Sequence, residues 1–411
     1  MDKIQLIFFF ISGFLVSRLI IKARLPHKLV YWLVGKQQLS LSKILFYLVA
    51  IAALLSFFIP NAITVLTLLP ILELLRRSYE ASNGPSPTVA TMLALATIYG
   101  ANIGGMGSVT ATPANGILVT YAVINHIPGV QFVSFASWLL WGIPLVIVFV
   151  GIAWLIISIV LHSRRYQAKR IRLPFDAREA DHPLQKITLW MTAIYFISSF
   201  GLSVLLMLAS NQTRLVLTLT GGFTLAFILF LFWVPLKAGN ENRSGKQVLL
   251  TLPDCYNELP LKGFVFVLIA VVLAAVLYAC NVHELFSRWA GMVLSPPVSP
   301  LMLFFLVALA TSFLTEILSN TAVQLSFFVL ALPFAQTFGV SALELLMIIT
   351  LSCTSAYMSP IATGVNGLAF GGVKGVSLKK MLAVGFWMNL AGALLIAVWI
   401  RFIVGRLYES G

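Results

Sequence analysis

The sequence predicts an all-α integral membrane protein in which two re-entrant hairpins and two broken helices recur as inverted repeats. Three observations carry that expectation. Of 411 residues, 60% are hydrophobic and only 10% are charged, whereas a soluble domain carries roughly 25% charged residues. Two apolar segments, 43–75 and 300–337, are each interrupted by a polar break, Pro60-Asn61 in the first and Ser319-Asn320-Thr321 in the second. Finally, Ala111-Thr112-Pro113-Ala114-Asn115-Gly116-Ile117 and Ala362-Thr363-Gly364-Val365-Asn366-Gly367-Leu368 share the pattern A-T-x-x-N-G-apolar, 251 positions apart.

Taken in order, the chain opens with Lys3 and an apolar run from Ile4 to Val16. No small-residue cleavage site follows; Arg18, Lys22 and Arg24 do, which predicts a retained first span rather than a signal peptide. Full crossings are expected at 3–21, 87–126, 135–161, 187–209, 214–234, 262–280, 341–373 and 379–403. The halves of 43–75 and 300–337 are only about a dozen to eighteen residues each, short for a span, and predict hairpins whose tips stop inside the membrane. Charge supports this topology. With the loops 22–43, 76–77, 162–186, 237–262 and 374–380 in the cytoplasm, that side holds 21 of the 27 Lys and Arg. One skipped crossing would reverse every later assignment and ruin the asymmetry. The same reading places both chain ends outside and the protein in the cytoplasmic (inner) membrane as a multi-pass chain.

The loop placement explains the net charge of +14 without a nucleic-acid partner. Cys255, Cys280 and Cys353 form no CxxC and meet no histidine cluster, so neither a disulfide framework nor a zinc site is readable. No HExxH, nucleophile elbow or metal-spaced acid cluster is present, which argues against an enzyme. The polar linker 162–186 divides the chain. Before it lies a first repeat, 1–161: a span, the inner hairpin 43–75, the broken helix 87–126 and the span 135–161. After it lies a second, 187–411: three spans, the outer hairpin 300–337, the broken helix 341–373 and a last span.

The hairpin asparagines Asn61 and Asn320 are 259 apart, nearly the offset of the A-T-x-x-N-G pair, so two motifs recur in one order. Inverted repeats with interrupted helices mark secondary transporters, whose site lies at the repeat interface. Gly104-Gly105-Met106-Gly107 resists a helix interior, where each glycine costs about 1 kcal/mol relative to alanine. Pro113 is expected to break the first helix further, and Pro360, Gly364 and Gly367 to do the same in the second. Unwound backbone at mid-membrane needs partners. A cation on freed carbonyls and an anion at half-helix N-termini would supply them.

These residues resemble the divalent anion:sodium symporter family, within the wider ion transporter group that includes citrate carriers and arsenite permeases. The resemblance is carried by Thr315-Glu316-Ile317-Leu318-Ser319-Asn320-Thr321-Ala322, by NIGGMGSVTATPAN (102–115) and by SPIATGVNG (359–367), and runs from about residue 5 to the C-terminus. It implies an elevator-type carrier with sodium ions as coupling ions and no other cofactor. One sodium would lie at Ser56, Asn61 and the Ala111 carbonyl, and a second at Thr315, Asn320 and Ala362. The anion would touch Asn61, Ser319, Asn320, Thr321, Thr112 and Thr363. The first tip, Pro60-Asn61-Ala62, departs from the family's Ser-Asn-Thr, lacks both hydroxyls and stands closer to the arsenite permeases. One span precedes the first hairpin against three before the second. The missing spans would belong to the family's scaffold and homodimer contact, which leaves the dimer open.

Read as residues, Asn61 and Asn320 carry both acceptor and donor atoms and suit a site that meets cation and anion; they also suit the cap of the half-helix that follows. The hydroxyls of Ser56, Thr315, Thr112 and Thr363 suit the same ligands, or the i−4 carbonyl. Asn115 and Asn366 are expected to brace the broken helices. Glu316, well inside the membrane, is either a proton carrier or the residue that bonds the second hairpin into place, the latter favoured. The expected function is sodium-coupled symport of a small anion, a dicarboxylate first and sulfate next. The alternative is an arsenite-permease-like efflux carrier or Na⁺/H⁺ antiporter of the same superfamily.

Overall fold

The computed structural model describes residues 3–32, 39–166, 182–237, 246–256 and 298–409, together with Val272, Val276, Ala279 and Cys280. Most of the expected span 262–280, and much of the polar segments 162–186 and 237–262, lie outside the described residues.

The helices are α1 (Lys3–Lys22), α2 (Leu25–Val30), α3 (Leu41–Ser56), α4 (Asn61–Asn83), α5 (Pro87–Gly104), α6 (Pro113–Ile124), α7 (Phe135–Val160), α8 (Gln185–Leu208), α9 (Thr213–Trp233) and α10 (Leu252–Tyr256). They continue as α11 (Pro300–Leu314), α12 (Asn320–Phe338), α13 (Ala342–Cys353), α14 (Gly364–Gly372), α15 (Leu378–Trp399) and, after a π turn at Ile400–Val404, α16 (Gly405–Glu409). The strand structure among the described residues is one antiparallel pair, Leu236–Lys237 with Lys246–Gln247. By length and composition, six helices among the described residues are apolar enough to cross a membrane: α1, α7, α8, α9, α12 and the continuous stretch Leu378–Tyr408.

Helix starts follow local chemistry. Ser86 caps α5 and Ser299 caps α11, each with a proline at the start of the helix, where the missing N–H costs no bond. Ser134 and Ser137 form a reciprocal capping box at the start of α7. The return arm of the second hairpin ends at Phe338, as expected, but that of the first runs on to Asn83, past the expected end at 75. The polar last turns of α4 stay helical because Glu73 pairs with Arg76 and Arg77, and Arg76 with Glu80, at i,i+3 and i,i+4 spacing. By length and composition α12 would span a bilayer as well.

The runs α3–α7 and α11–α15 repeat one order of elements: hairpin pair, long half-helix, short half-helix, long helix. In each run the first hairpin helix packs on the long half-helix and on the long closing helix. The short half-helices cross over: α6 lies against α12 and α13, and α14 against α4 and α5. The tightest contact is α3 on α5. A Cβ at Gly100 or Gly104, one turn apart, would overlap the carbonyl oxygens of Val49 and Ala53, so small residues let the backbones touch. Around this body, α1 packs on α8 and α9. Buried bonds from Tyr195 Oη to the Phe9 carbonyl (3.1 Å) and from Gln5 Nε2 to the Leu202 carbonyl (3.1 Å) tie that layer together.

Candidate functional site

The site is built from two unwound segments and two hairpin tips. α5 stops at Gly104 and α6 starts at Pro113; α13 stops at Cys353 and α14 starts at Gly364. Thr112 Oγ1 accepts from Asn115 N and Thr363 Oγ1 from Asn366 N, so both threonines are N-caps. Pro113 therefore begins a helix rather than further breaking one, because its absent N–H falls among donors with no intrahelical partner. Gly364 likewise stands in the first turn of α14 and Gly367 inside it, so neither extends the break; Pro360 does lie within it.

The bracing is the same in both copies. Asn115 Nδ2 donates to the carbonyls of Gly105 (3.0 Å) and Ser108 (2.8 Å), ten and seven residues back. Asn366 Nδ2 donates to those of Ala356 (3.1 Å) and Ser359 (2.8 Å), again ten and seven back. Ala111 N and Ala362 N donate to the same two serine carbonyls, three residues before them. Both asparagines are buried and act as braces, as their sequence context suggested.

At the first tip, Ser56 Oγ donates to Thr64 Oγ1 (2.9 Å), both fully buried. Asn61 lies beside the first unwound segment: a Cβ at Gly105 would stand 3.3 Å from Asn61 Oδ1 and 2.5 Å from Thr112 Cγ2. Asn61 Oδ1 is buried and has no hydrogen-bond partner, an uncommon state for a buried acceptor. At the second tip, Thr315 Oγ1 is 2.6 Å from Asn320 Oδ1 and 3.0 Å from the Cys353 carbonyl, where α13 ends. Ser319 caps α12 by accepting from Ala322 N (3.2 Å). Ser319 is exposed, Asn320, Thr321 and Thr363 are half-buried, and Thr315 and Ala362 are buried.

The expected ligands thus fall into two clusters: Ser56, Asn61, Ala111 and Thr112 beside the first break, and Thr315, Ser319, Asn320, Thr321, Ala362 and Thr363 beside the second. No hydrogen bond joins Asn61 to Asn320. Two side chains link the halves: Gln324, one turn into α12, whose Nε2 donates to the Ala114 carbonyl (2.8 Å) and to Thr350 Oγ1 (3.0 Å), and Asn102 of α5, whose Nδ2 donates to the Ala356 carbonyl of the second unwound segment (2.9 Å). Sequence reasoning missed Gln324, Thr64, Asn102 and Asn389. Their signal is a polar residue inside an apolar helical run, and each is buried.

Glu316 is 2% exposed. Its Oε1 accepts from the backbone N–H groups of Tyr357 (2.7 Å) and Met358 (2.8 Å) and from Asn389 Nδ2 (2.8 Å), and its Oε2 from Ser359 N (2.6 Å). The carboxylate holds the second unwound segment to the hairpin and to α15. By the 259-residue offset its counterpart is Phe57, and by the 251-residue offset that of Met358 is Gly107. Phe57 does lie on Gly107: a Cβ there would come within 2.5 Å of the ring. Phe57 and Phe58 also meet Phe196 of α8, with ring centroids 5.6 and 4.8 Å apart.

Hydroxyls, amide oxygens and freed carbonyls are hard, neutral oxygen donors, and no Lys or Arg stands in either tip or break. Among the described residues no group of three His, Cys, Asp or Glu is placed to hold a metal ion. Interrupted helices, polar-tipped hairpins and apolar spans together define a multi-pass membrane protein of the transporter kind. Residues 3–237, more than half of the chain, match the citrate transporter family, and the chain belongs to that family, within the ion transporter group of the divalent anion:sodium symporters. It is 25% identical over 414 residues to the sodium-dependent dicarboxylate transporter SdcS of Staphylococcus saprophyticus, covering 97% of this chain and 76% of the relative. The SdcS protein of Staphylococcus aureus is 26% identical over 419 residues, with the same coverage. Among solved structures, the Alcanivorax borkumensis YdaH transporter aligns with a TM-score of 0.49 and 13% identity, over 98% of this chain and 85% of that one.

Proposed function

We propose that the protein is a secondary active carrier that couples sodium to the symport of a small anion, a dicarboxylate first and sulfate next. The observation that carries this reading is the duplicated tip-and-break geometry, with Asn115 and Asn366 bracing two unwound segments at identical spacings. Freed carbonyls and half-helix N-termini brought side by side offer a cation and an anion adjoining places. The names of the SdcS relatives support sodium and a dicarboxylate as the pair.

In this reading α3–α4 and α11–α12 are re-entrant hairpins entering from opposite faces, and the two runs are inverted repeats within 1–161 and 187–411. Thr315 supports the re-entrant assignment, since it ties the second tip to the level at which α13 unwinds. One sodium sits at Ser56, Asn61 and Ala111, a second at Thr315, Asn320 and Ala362. The anion sits between Asn61, Thr112, Ser319, Asn320, Thr321 and Thr363. Neutral donors cannot hold an anion strongly without the cations, so each ligand depends on the other, and the loaded body crosses as a unit in an elevator movement. The carrier resides in the cytoplasmic membrane.

The test is binding to purified protein, with and without sodium at fixed ionic strength, across succinate, citrate, sulfate and arsenite. Sodium-dependent binding of one anion, lost in Asn320→Ala, is the expected result. Anion binding indifferent to sodium would sink the coupling, and absence of any binding with sodium present would sink the symport reading.

A further inference from the structure

We propose that the cleft between the start of α3 and the end of α7 binds the phosphate headgroup of an anionic phospholipid, with an acyl chain laid in the apolar groove beside it. The cleft encloses ≈ 610 Å³ and is lined by Ser42, Ser158, His162, Ser163, Arg164 and Arg165. None of these belongs to a hairpin tip or to an unwound segment.

Among the described residues, every polar group in the cleft can donate and no acid lines it. The hydroxyls of Ser158 and Ser163 are buried without a hydrogen-bond partner, and Ser163 as a residue is 0% exposed. Two orphan hydroxyls in one cleft require a ligand with several acceptor oxygens, or ordered water. Neither Arg164 nor Arg165 joins an ion pair among the described residues. On the opposite wall stands Ser42, in the first turn of α3, the positive end of a 16-residue helix whose N-cap Ser40 makes no side-chain capping bond. The wall is held in place by Trp154, whose Nε1 donates to the Ser42 carbonyl (3.0 Å) and hydroxyl (3.3 Å). Guanidinium groups and hydroxyls beside the positive end of a helix together match a phosphate, whose oxygens accept from both.

What favours a lipid over a soluble anion is the neighbouring groove. Ile159, 67% exposed, lines both the cleft and a second cavity of ≈ 670 Å³ whose walls include Phe305, Trp387, Leu390 and Leu394. Among the described residues that groove is lined by apolar side chains alone, and it runs from the end of α7 along α15. A free anion would fill only the cleft; a phospholipid fills both cavities. A basic pocket where a membrane helix ends is also where anionic headgroups gather, and Trp154 is the kind of side chain that settles at that depth.

The test uses the delipidated full-length protein in a neutral detergent, titrated with phosphatidylglycerol, phosphatidylcholine and inorganic phosphate, and read by native mass spectrometry and by the thermal midpoint. Phosphatidylglycerol should bind in a defined ratio and raise the midpoint, while the other two should do neither. R164Q/R165Q should weaken phosphatidylglycerol binding ~25-fold, the product of about fivefold for each arginine. W387A, in the groove, should weaken it as well. An equal response to inorganic phosphate would make this a soluble-anion site, and equal binding of phosphatidylcholine would make it ordinary annular lipid; either overturns the proposal. So does undiminished binding in R164Q/R165Q. The wild-type titration decides independently of whether the variants fold.

Discussion

Replacing Glu316 separates a structural carboxylate from a proton carrier. Four N–H groups point at its two oxygens, three from the second unwound segment and one from Asn389 on α15, and no acceptor stands among them. In Glu316→Gln the amide oxygen can keep the Tyr357, Met358 and Asn389 bonds, but the new NH₂ faces the Ser359 N–H, donor against donor. Losing a charge-assisted bond costs about 1.5–3 kcal/mol and leaving a buried donor unpaired about 1–3 kcal/mol more, so the substitution should cost roughly 3–5 kcal/mol. Glu316→Ala orphans all four donors and should cost more. Glu316→Asp, one methylene shorter, should fall between wild type and Gln, because it cannot reach α15 and the unwound segment together. The assay is the thermal midpoint of purified protein, alongside uptake into proteoliposomes across a range of external pH. A fall in midpoint ordered Asp, Gln, Ala, with the shape of the pH profile unchanged in whatever activity remains, is expected. An unchanged midpoint in Glu316→Gln with a flattened pH profile would refute the argument and make the residue a proton carrier.

Asn115→Ala and Asn366→Ala should destabilise the protein to a similar degree, about 1–3 kcal/mol each, since each strips two carbonyls of the same brace; a large inequality in their thermal midpoints would contradict the equivalence of the two breaks. Gly104→Ala should cost at least about 1–3 kcal/mol as α3 is forced off α5, read as a lowered midpoint and reduced yield of monodisperse protein. Gln324→Leu removes the side chain that bonds the first break's helix from the second hairpin. It should weaken anion binding more than it lowers the midpoint, and wild-type affinity in that variant would show that the link is idle.

Much of this arrangement was legible in the sequence because it is local. The glycines at 104, 105 and 107 end α5 where their helix propensity says they should, and Ser319 and Thr363 begin α12 and α14 as ordinary caps. The braces could be anticipated because Asn115 and Asn366 act on carbonyls within ten residues. What stayed hidden spans longer separations. Glu316 reads as a buried acid, but its partners lie 41–43 and 73 residues onward and come together only when α15 packs against the unwound segment. Gln324 and Asn102 sit in apolar helical runs where nothing nearby announces the carbonyls they serve, Ala114 and Ala356. The length of α4 was misjudged because hydropathy ends at Glu73, whereas ion pairs carry the helix on to Asn83.

Phe57 and Glu316 occupy one slot twice, filled once by an aromatic ring on a glycine and once by a carboxylate on amide groups. A place that persists while its occupant changes from grease to charge is defined by the backbone around it, not by the residue. Such a slot lets the two runs differ in sequence while keeping one order of elements. It also gives each run its own kind of contact: a ring packs on a glycine without a fixed direction, whereas a carboxylate is held by four directed N–H groups. At this point the first run is held by packing and the second by directed hydrogen bonds.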